Sequence, residues 1–143
     1  MKIKLLDENA VVPTFANPGD AGADLYSIES VTIHGRTQKL VRTGIALEIP
    51  LGYMGLIRPR SGLATKLGIG MNSSGVVDSG YRGEISMTLI NHSDKSYNVS
   101  PGQRIAQIVF VPVVSGFTFE VVDELSDTKR GEGGYGSTGG WTA

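Results

Sequence analysis

Seven short aliphatic runs, each closed off by residues that favour turns, limit what this chain can fold into: KIKLL (2–6), VTI (31–33), IALEI (45–49), YMGLI (53–57), EISMTLI (84–90), RIAQIVFV (104–111) and FTFEVV (117–122). Rich in β-branched residues and recurring between turn signals, they predict strands of a β-sandwich or barrel. In EISMTLI, Ile85, Met87 and Leu89 fall on one face and Glu84, Ser86 and Thr88 on the other, the period of a half-buried strand. Asn17-Pro18-Gly19, Pro50-Leu51-Gly52 and Pro101-Gly102 supply turns between the runs. One stretch, RPRSGLATKLG, breaks the pattern. There Ser61 is expected to cap a short helix from Gly62 to Leu67, with Gly68 as its left-handed stop.

A chain of 143 residues suits one domain with a modest core. With 13 basic and 14 acidic residues, no global field favours nucleic acid or a membrane surface, so any anion site is local. Cysteine is absent, which excludes disulfides, thiolate catalysis and Cys-based zinc sites and fits a reducing compartment. His34 and His92 sit beside turn-like residues without ligand spacing. The longest apolar stretch, Ile105 to Val114, is interrupted by Gln107 and Pro112 and falls short of a membrane span. The expectation is a cytoplasmic protein.

Several residues could carry chemistry. Arg60, Ser61 and Gly62 put a guanidinium, a hydroxyl and unpaired amides at a helix start, where phosphate binds well; a plain cap beside a surface arginine is the structural alternative. In MNSSGVVDSGYRGEI (71–85), Asp78 stands before a Ser79-Gly80 turn, where its carboxylate could orient a base reaction, and Tyr81 offers a flat wall for a sugar. A hairpin with an Asx-turn at Asp78 explains the same residues structurally. Asp24 follows a glycine-rich turn and could add negative charge near a divalent cation. Gln107 interrupts an apolar strand, where a buried amide needs partners. No GxxxxGK[ST], strand-to-helix GxGxxG or GxSxG pattern is present, which argues against P-loop, Rossmann and serine-hydrolase chemistry.

The chain ends RGEGGYGSTGGWTA (130–143), with glycine at six of the ten positions from 131 to 140. Such a segment buries too little to order itself. It nevertheless carries Arg130, Tyr135, Ser137 and Thr138, groups suited to a phosphorylated, planar ligand.

Taken in order, AGADLYS (21–27), PRSGLA (59–64), NSSGVVDSGYRGEI (72–85), GQRIAQIV (102–109) and RGEGGYGSTG (130–139) resemble the five motifs of the homotrimeric dUTPase family. The resemblance implies an all-β, distorted jelly-roll or β-clip barrel with one short helix, a β domain over residues 1–129 and a flexible glycine-rich arm over 130–143. It implies a homotrimer with three active sites at subunit interfaces, each closed by a neighbour's arm. The expected reaction is Mg²⁺-assisted attack of water on the α-phosphorus of dUTP, giving dUMP and pyrophosphate, which keeps uracil out of DNA and supplies dUMP for thymidylate synthesis. Asp78 would be the general base. Arg60, Ser61, Gly62 and Gln107 would hold phosphates, as would Arg130, Gly136, Ser137 and Thr138 from the arm. Asn72, with the main chain of Gly75, Val76 and Val77, would read the uracil edge, while Tyr81 would pack on deoxyribose and Tyr135 would cap the base. Mg²⁺ would be held mainly by substrate phosphates, with Asp24 supporting it through water. Position 135 is tyrosine where many relatives carry phenylalanine, and Trp141 lies past the last motif. A dCTP deaminase of the same fold would share the phosphate site; Tyr81 and GGYGSTG favour dUTPase. The resemblance suggests no nucleic-acid or membrane partner and leaves room for a regulatory protein.

Overall fold

The computed structural model describes residues 1–72 and 75–134. Among them are eleven strands and one helix, and every strand pairing is antiparallel. β1 (Lys2–Leu5) pairs with β5 (Ile45–Glu48), and β3 (Val31–Ile33) with β10 (Tyr97–Val99). A three-stranded sheet runs β4 (Gln38–Arg42), β9 (Ser86–Asn91), β7 (Ile69–Met71). The sheet that positions the site has four strands in the order β2 (Gly22–Tyr26), β11 (Arg104–Pro112), β6 (Tyr53–Pro59), β8 (Val76–Val77).

The inward face of each sheet supplies one core, with Leu25, Ile33, Val41, Ile45, Ile69, Ile85, Leu89, Val99, Ile105 and Ile108 buried. The expected face Ile85, Met87, Leu89 is part of it. A buried asparagine ties the connections together. Asn91 donates to the carbonyls of Ile33 (3.0 Å) and Lys95 (2.7 Å) and accepts from the amide (3.0 Å) and hydroxyl (2.7 Å) of Ser93, so its amide is satisfied away from water.

Two local expectations are corrected. Arg60, not Ser61, is the N-cap of α1 (Ser61–Leu67). Because Arg60 continues the extended backbone of β6 (φ −82°, ψ 127°), Ser61 is already the first helical residue, and the cap position has no side-chain hydrogen bond. The stop at Gly68 is as expected, with φ 67° and its amide bonded to the carbonyl of Ala64. FTFEVV forms no strand: β11 ends at Pro112 and residues 113–134 contain none. Alternation alone does not make a strand, which needs a partner edge, and here Phe119 and Val121 are 97% and 98% exposed.

Candidate active site

A β-bulge in β11, between Arg104 and Ala106, decides which way this strand presents its polar residue. Ile105 and Ala106 are both buried in succession, which shifts the alternation so that Ile108 enters the core while Gln107 and Val109 face a cleft of about 540 Å³. Gln107 is half-buried and its amide donates to the carbonyl of Pro59 (3.2 Å). Its side chain lies over Gly22, where an added Cβ would come within 3.1 Å of the carboxamide carbon.

The same cleft is lined by Asp24 from β2, Arg60, Ser61 and Gly62 at the start of α1, and Lys66 one turn on. Asp24 is held between two arginines: Arg60 Nε lies 3.1 Å from one carboxylate oxygen and Arg104 Nε 3.4 Å from the other. The Asp24 side chain is 12% exposed; it lends both guanidinium groups a fixed position rather than standing alone beside the cleft. Lys66 and Arg104 were missed as site residues by sequence reasoning. Lys66 was within the helix already recognised beside Arg60, whereas nothing in the order of residues signals the pairing of Arg104 with Asp24. Among the described residues no group of three or more His, Cys, Asp or Glu side chains is placed to hold a metal ion.

A second cleft, about 200 Å³, is lined by Ile57, Gly75, Val76, Val77, Asp78, Tyr81, Glu84, Ile85 and Ser86. β8 ends at Val77, leaving Asp78 exposed at the start of a turn in which the amide of Tyr81 donates to the carbonyl of Asp78 (3.0 Å). That turn sets carboxylate and ring side by side. The Tyr81 hydroxyl donates to the carbonyl of Glu84 (3.1 Å). Glu84 is itself anchored, accepting from the amide of Gly44 (2.8 Å) and from Arg42 Nε (3.0 Å). That hydrogen bond, and the charge behind it, raise the Arg42 guanidinium above its ordinary pKa. Asn72 lines neither cleft; it leaves β7 exposed, with its amide bonded to the carbonyl of Thr88 (3.1 Å). Arg130 is exposed, its Nε donating to the carbonyl of Gly133 (2.9 Å). Tyr135, Gly136, Ser137 and Thr138 lie outside the described residues.

The two clefts share no lining residue, though their walls do not divide by sheet face: Val76 of the second is level with Leu56 and with Val109 of the first. Ile57 stands opposite Ile108 in the register, on the core side, whereas Gln107 points to the other side. Val77 is level with Gly55 and Phe110, three residues along β11 from Gln107 and two strands across, a separation of about 14 Å from strand geometry. A cleft bearing Arg60, Lys66 and a hydroxyl beside Asp20 and Asp24, and a carboxylate-and-aromatic pocket, are therefore presented by one chain without sharing a residue.

A family model described as dUTPase matches residues 8–139. The chain belongs to the dUTPase family. Curated dUTPase relatives, named deoxyuridine 5'-triphosphate nucleotidohydrolase, include one from Nautilia profundicola, 51% identical over 97% of this chain and 98% of its own length. Another, from Picosynechococcus sp., is 49% identical over the same shares. Among solved dUTPases, that of Staphylococcus bacteriophage 80alpha with dUpNHpp superposes with a TM-score of 0.89 at 30% identity, covering 96% of this chain and 97% of that one. A variant dUTPase from phage phi11 of S. aureus, described for the coordination of a structural Mg(II) ion, superposes at 0.80 with 27% identity, covering 86% and 96%. The fold shared with these dUTPases is the jelly-roll-like β fold that the motifs implied. No helix among the described residues is long and apolar enough to cross a membrane.

Proposed function

We propose that this chain hydrolyses dUTP to dUMP and pyrophosphate in a site assembled from two or more subunits. The observation that carries the reading is the separation of its two half-sites in a chain of the dUTPase family. Arg60, Ser61, Lys66 and Gln107 suit a triphosphate; Asp78 and Tyr81 suit the sugar and the water that attacks. Set apart along and across one sheet in a single chain, they act on one substrate when the first cleft of one subunit faces the second cleft of another. A homotrimer meets that need. Support comes from apolar surface left uncovered: Phe119 and Val121 beyond β11, and a groove of about 400 Å³ lined by Ile3, Val12, Phe15, Leu47 and Phe110.

In this site Asp78 takes a proton from water as its oxygen bonds to the α-phosphorus, and the bond from that phosphorus to the bridging oxygen breaks, releasing pyrophosphate. Arg60, Lys66 and Gln107 hold the phosphate oxygens as charge moves onto the leaving group. Uracil is read by Asn72 and the main chain of Gly75, Val76 and Val77, and Tyr81 lies against deoxyribose. Mg²⁺ carried by the triphosphate would neutralise part of its charge and hold it in one conformation. Asp24, whose oxygens also serve Arg60 and Arg104, would support such a metal through water. The arm from Arg130, with Tyr135, Gly136, Ser137 and Thr138, closes over the neighbour's site and expels water. A cysteine-free chain suits the cytoplasm.

Pyrophosphate release measured across all dNTPs and UTP, with and without Mg²⁺, tests the substrate assignment. Release from dUTP alone is the expected outcome; ammonia from dCTP would replace the reading with a deaminase. Asp78→Asn should keep nucleotide binding and lower kcat about 10²- to 10⁴-fold, and near-wild-type turnover would remove Asp78 as the base.

A further inference from the structure

Gly83 lies between Tyr81 and Glu84, two residues that line the second cleft. Its backbone is not in the left-handed region, so its lack of a side chain is not required by φ. What needs the space is the ring of Tyr81. A Cβ built on Gly83 would stand 2.5 Å from Cζ of Tyr81 and 3.0 Å from Cε2, and closer still to the hydroxyl. The ring is thus seated on the bare backbone of Gly83 while its hydroxyl is tied to the carbonyl of Glu84. Glu84 cannot easily follow the ring, because its carboxylate is bonded to the amide of Gly44 and to Arg42. Seat and tether together fix how far the ring, 47% exposed, projects into the cleft beside Val76, Val77 and Asp78.

We propose that Gly83 is a specificity-positioning residue: by leaving room beneath Tyr81 it sets the depth of the ring and hence the exclusion of a 2′-hydroxyl. This rests on Tyr81 packing against deoxyribose. A methyl at position 83 cannot be accommodated by the fixed Glu84 carbonyl, so the ring moves, and the wall that a ribonucleotide would strike moves with it. The added group touches no substrate; its effect passes through the ring.

The test compares kcat/KM for dUTP and UTP in wild type, Gly83→Ala, Tyr81→Ala and the double variant, with unfolding midpoints for each. Gly83→Ala is expected to lower the dUTP-to-UTP ratio about tenfold, within the range a packed pocket achieves against an added hydroxyl. In the Tyr81→Ala background the same substitution should change neither the ratio nor the midpoint, since the three atoms nearest the added Cβ all belong to Tyr81. A ratio unchanged by Gly83→Ala but collapsed by Tyr81→Ala overturns the role of Gly83 and leaves Tyr81 as the sugar wall. A ratio unchanged by Tyr81→Ala overturns the underlying reading of Tyr81 itself. A double variant less stable than Tyr81→Ala shows that Gly83 serves the backbone and also overturns the proposal. Where Gly83→Ala alone does not fold, Tyr81→Phe with Gly83→Ala, lacking the hydroxyl nearest the methyl, is compared with Tyr81→Phe, and an unchanged ratio between those two is again a refutation.

Discussion

Asn91 concentrates more hydrogen bonding than any residue of its size in this core needs for packing alone. Four bonds converge on its side chain, linking the end of β3, the Ser93 turn and the carbonyl of Lys95. Replacing it with alanine would take a bond from the carbonyl of Ile33 and from the amide of Ser93, at about 1 to 3 kcal/mol for each group that water cannot reach, while the carbonyl of Lys95 keeps the Ser93 hydroxyl. Asn91→Ala is expected to lower stability by about 2 to 4 kcal/mol, read as a shift in urea midpoint with an unchanged slope; a shift below about 0.5 kcal/mol would mean that solvent replaces those bonds. At the same scale, sequence reasoning singled out, from a helix start, a turn and an interrupted apolar strand, Arg60, Ser61, Gly62, Asp78, Tyr81 and Gln107, which line the two clefts. It missed Lys66, Arg104 and Glu84, whose parts depend on partners far along the chain: Asp24 for Arg104, Gly44 and Arg42 for Glu84.

Among the elements, apolar runs closed by turn residues were readable, down to the three residues of β3, and strands without such a run were not. β9 and β11 emerged at nearly their true bounds because their apolar residues recur over enough positions to fix a period. β8, two residues long, and β10 exist through pairing with β6 and β3, and pairing has no local signature. FTFEVV failed in the opposite sense, carrying a strand's pattern without a partner in its own chain. The terminal arm is the element on which activity should depend and the fold should not. Deleting residues 130–143 is expected to leave the far-ultraviolet circular dichroism and the assembly size unchanged while dUTP turnover falls at least about 100-fold. An unfolded or dissociated product would make the arm a structural part, and full turnover would remove it from the site.

For the molecule as a whole, the decisive arrangement is one that no stretch of sequence displays. How far Gln107 stands from Asp78 depends on the register of β11 against β6, on that of β6 against β8, and on a single bulge at Arg104. Only the family motifs hinted that sites are shared. Co-refolding Asp78→Asn with Arg60→Ala in equal amounts tests the sharing directly. Each variant alone should be nearly inactive, yet about a quarter of the sites in randomly mixed assemblies would pair an intact Asp78 with an intact Arg60 from different chains. Recovery of about that fraction of wild-type kcat is expected, and none would return if each site were built within one chain.

Where the halves of a reaction come from different chains, as proposed, catalysis also depends on crowd size. In that arrangement a solitary chain is chemically silent. Dilution below the dissociation constant of the assembly would therefore switch the reaction off reversibly while the β-sheets persist, and the onset of turnover in a newly made population would track the meeting of chains more than the ripening of any one of them.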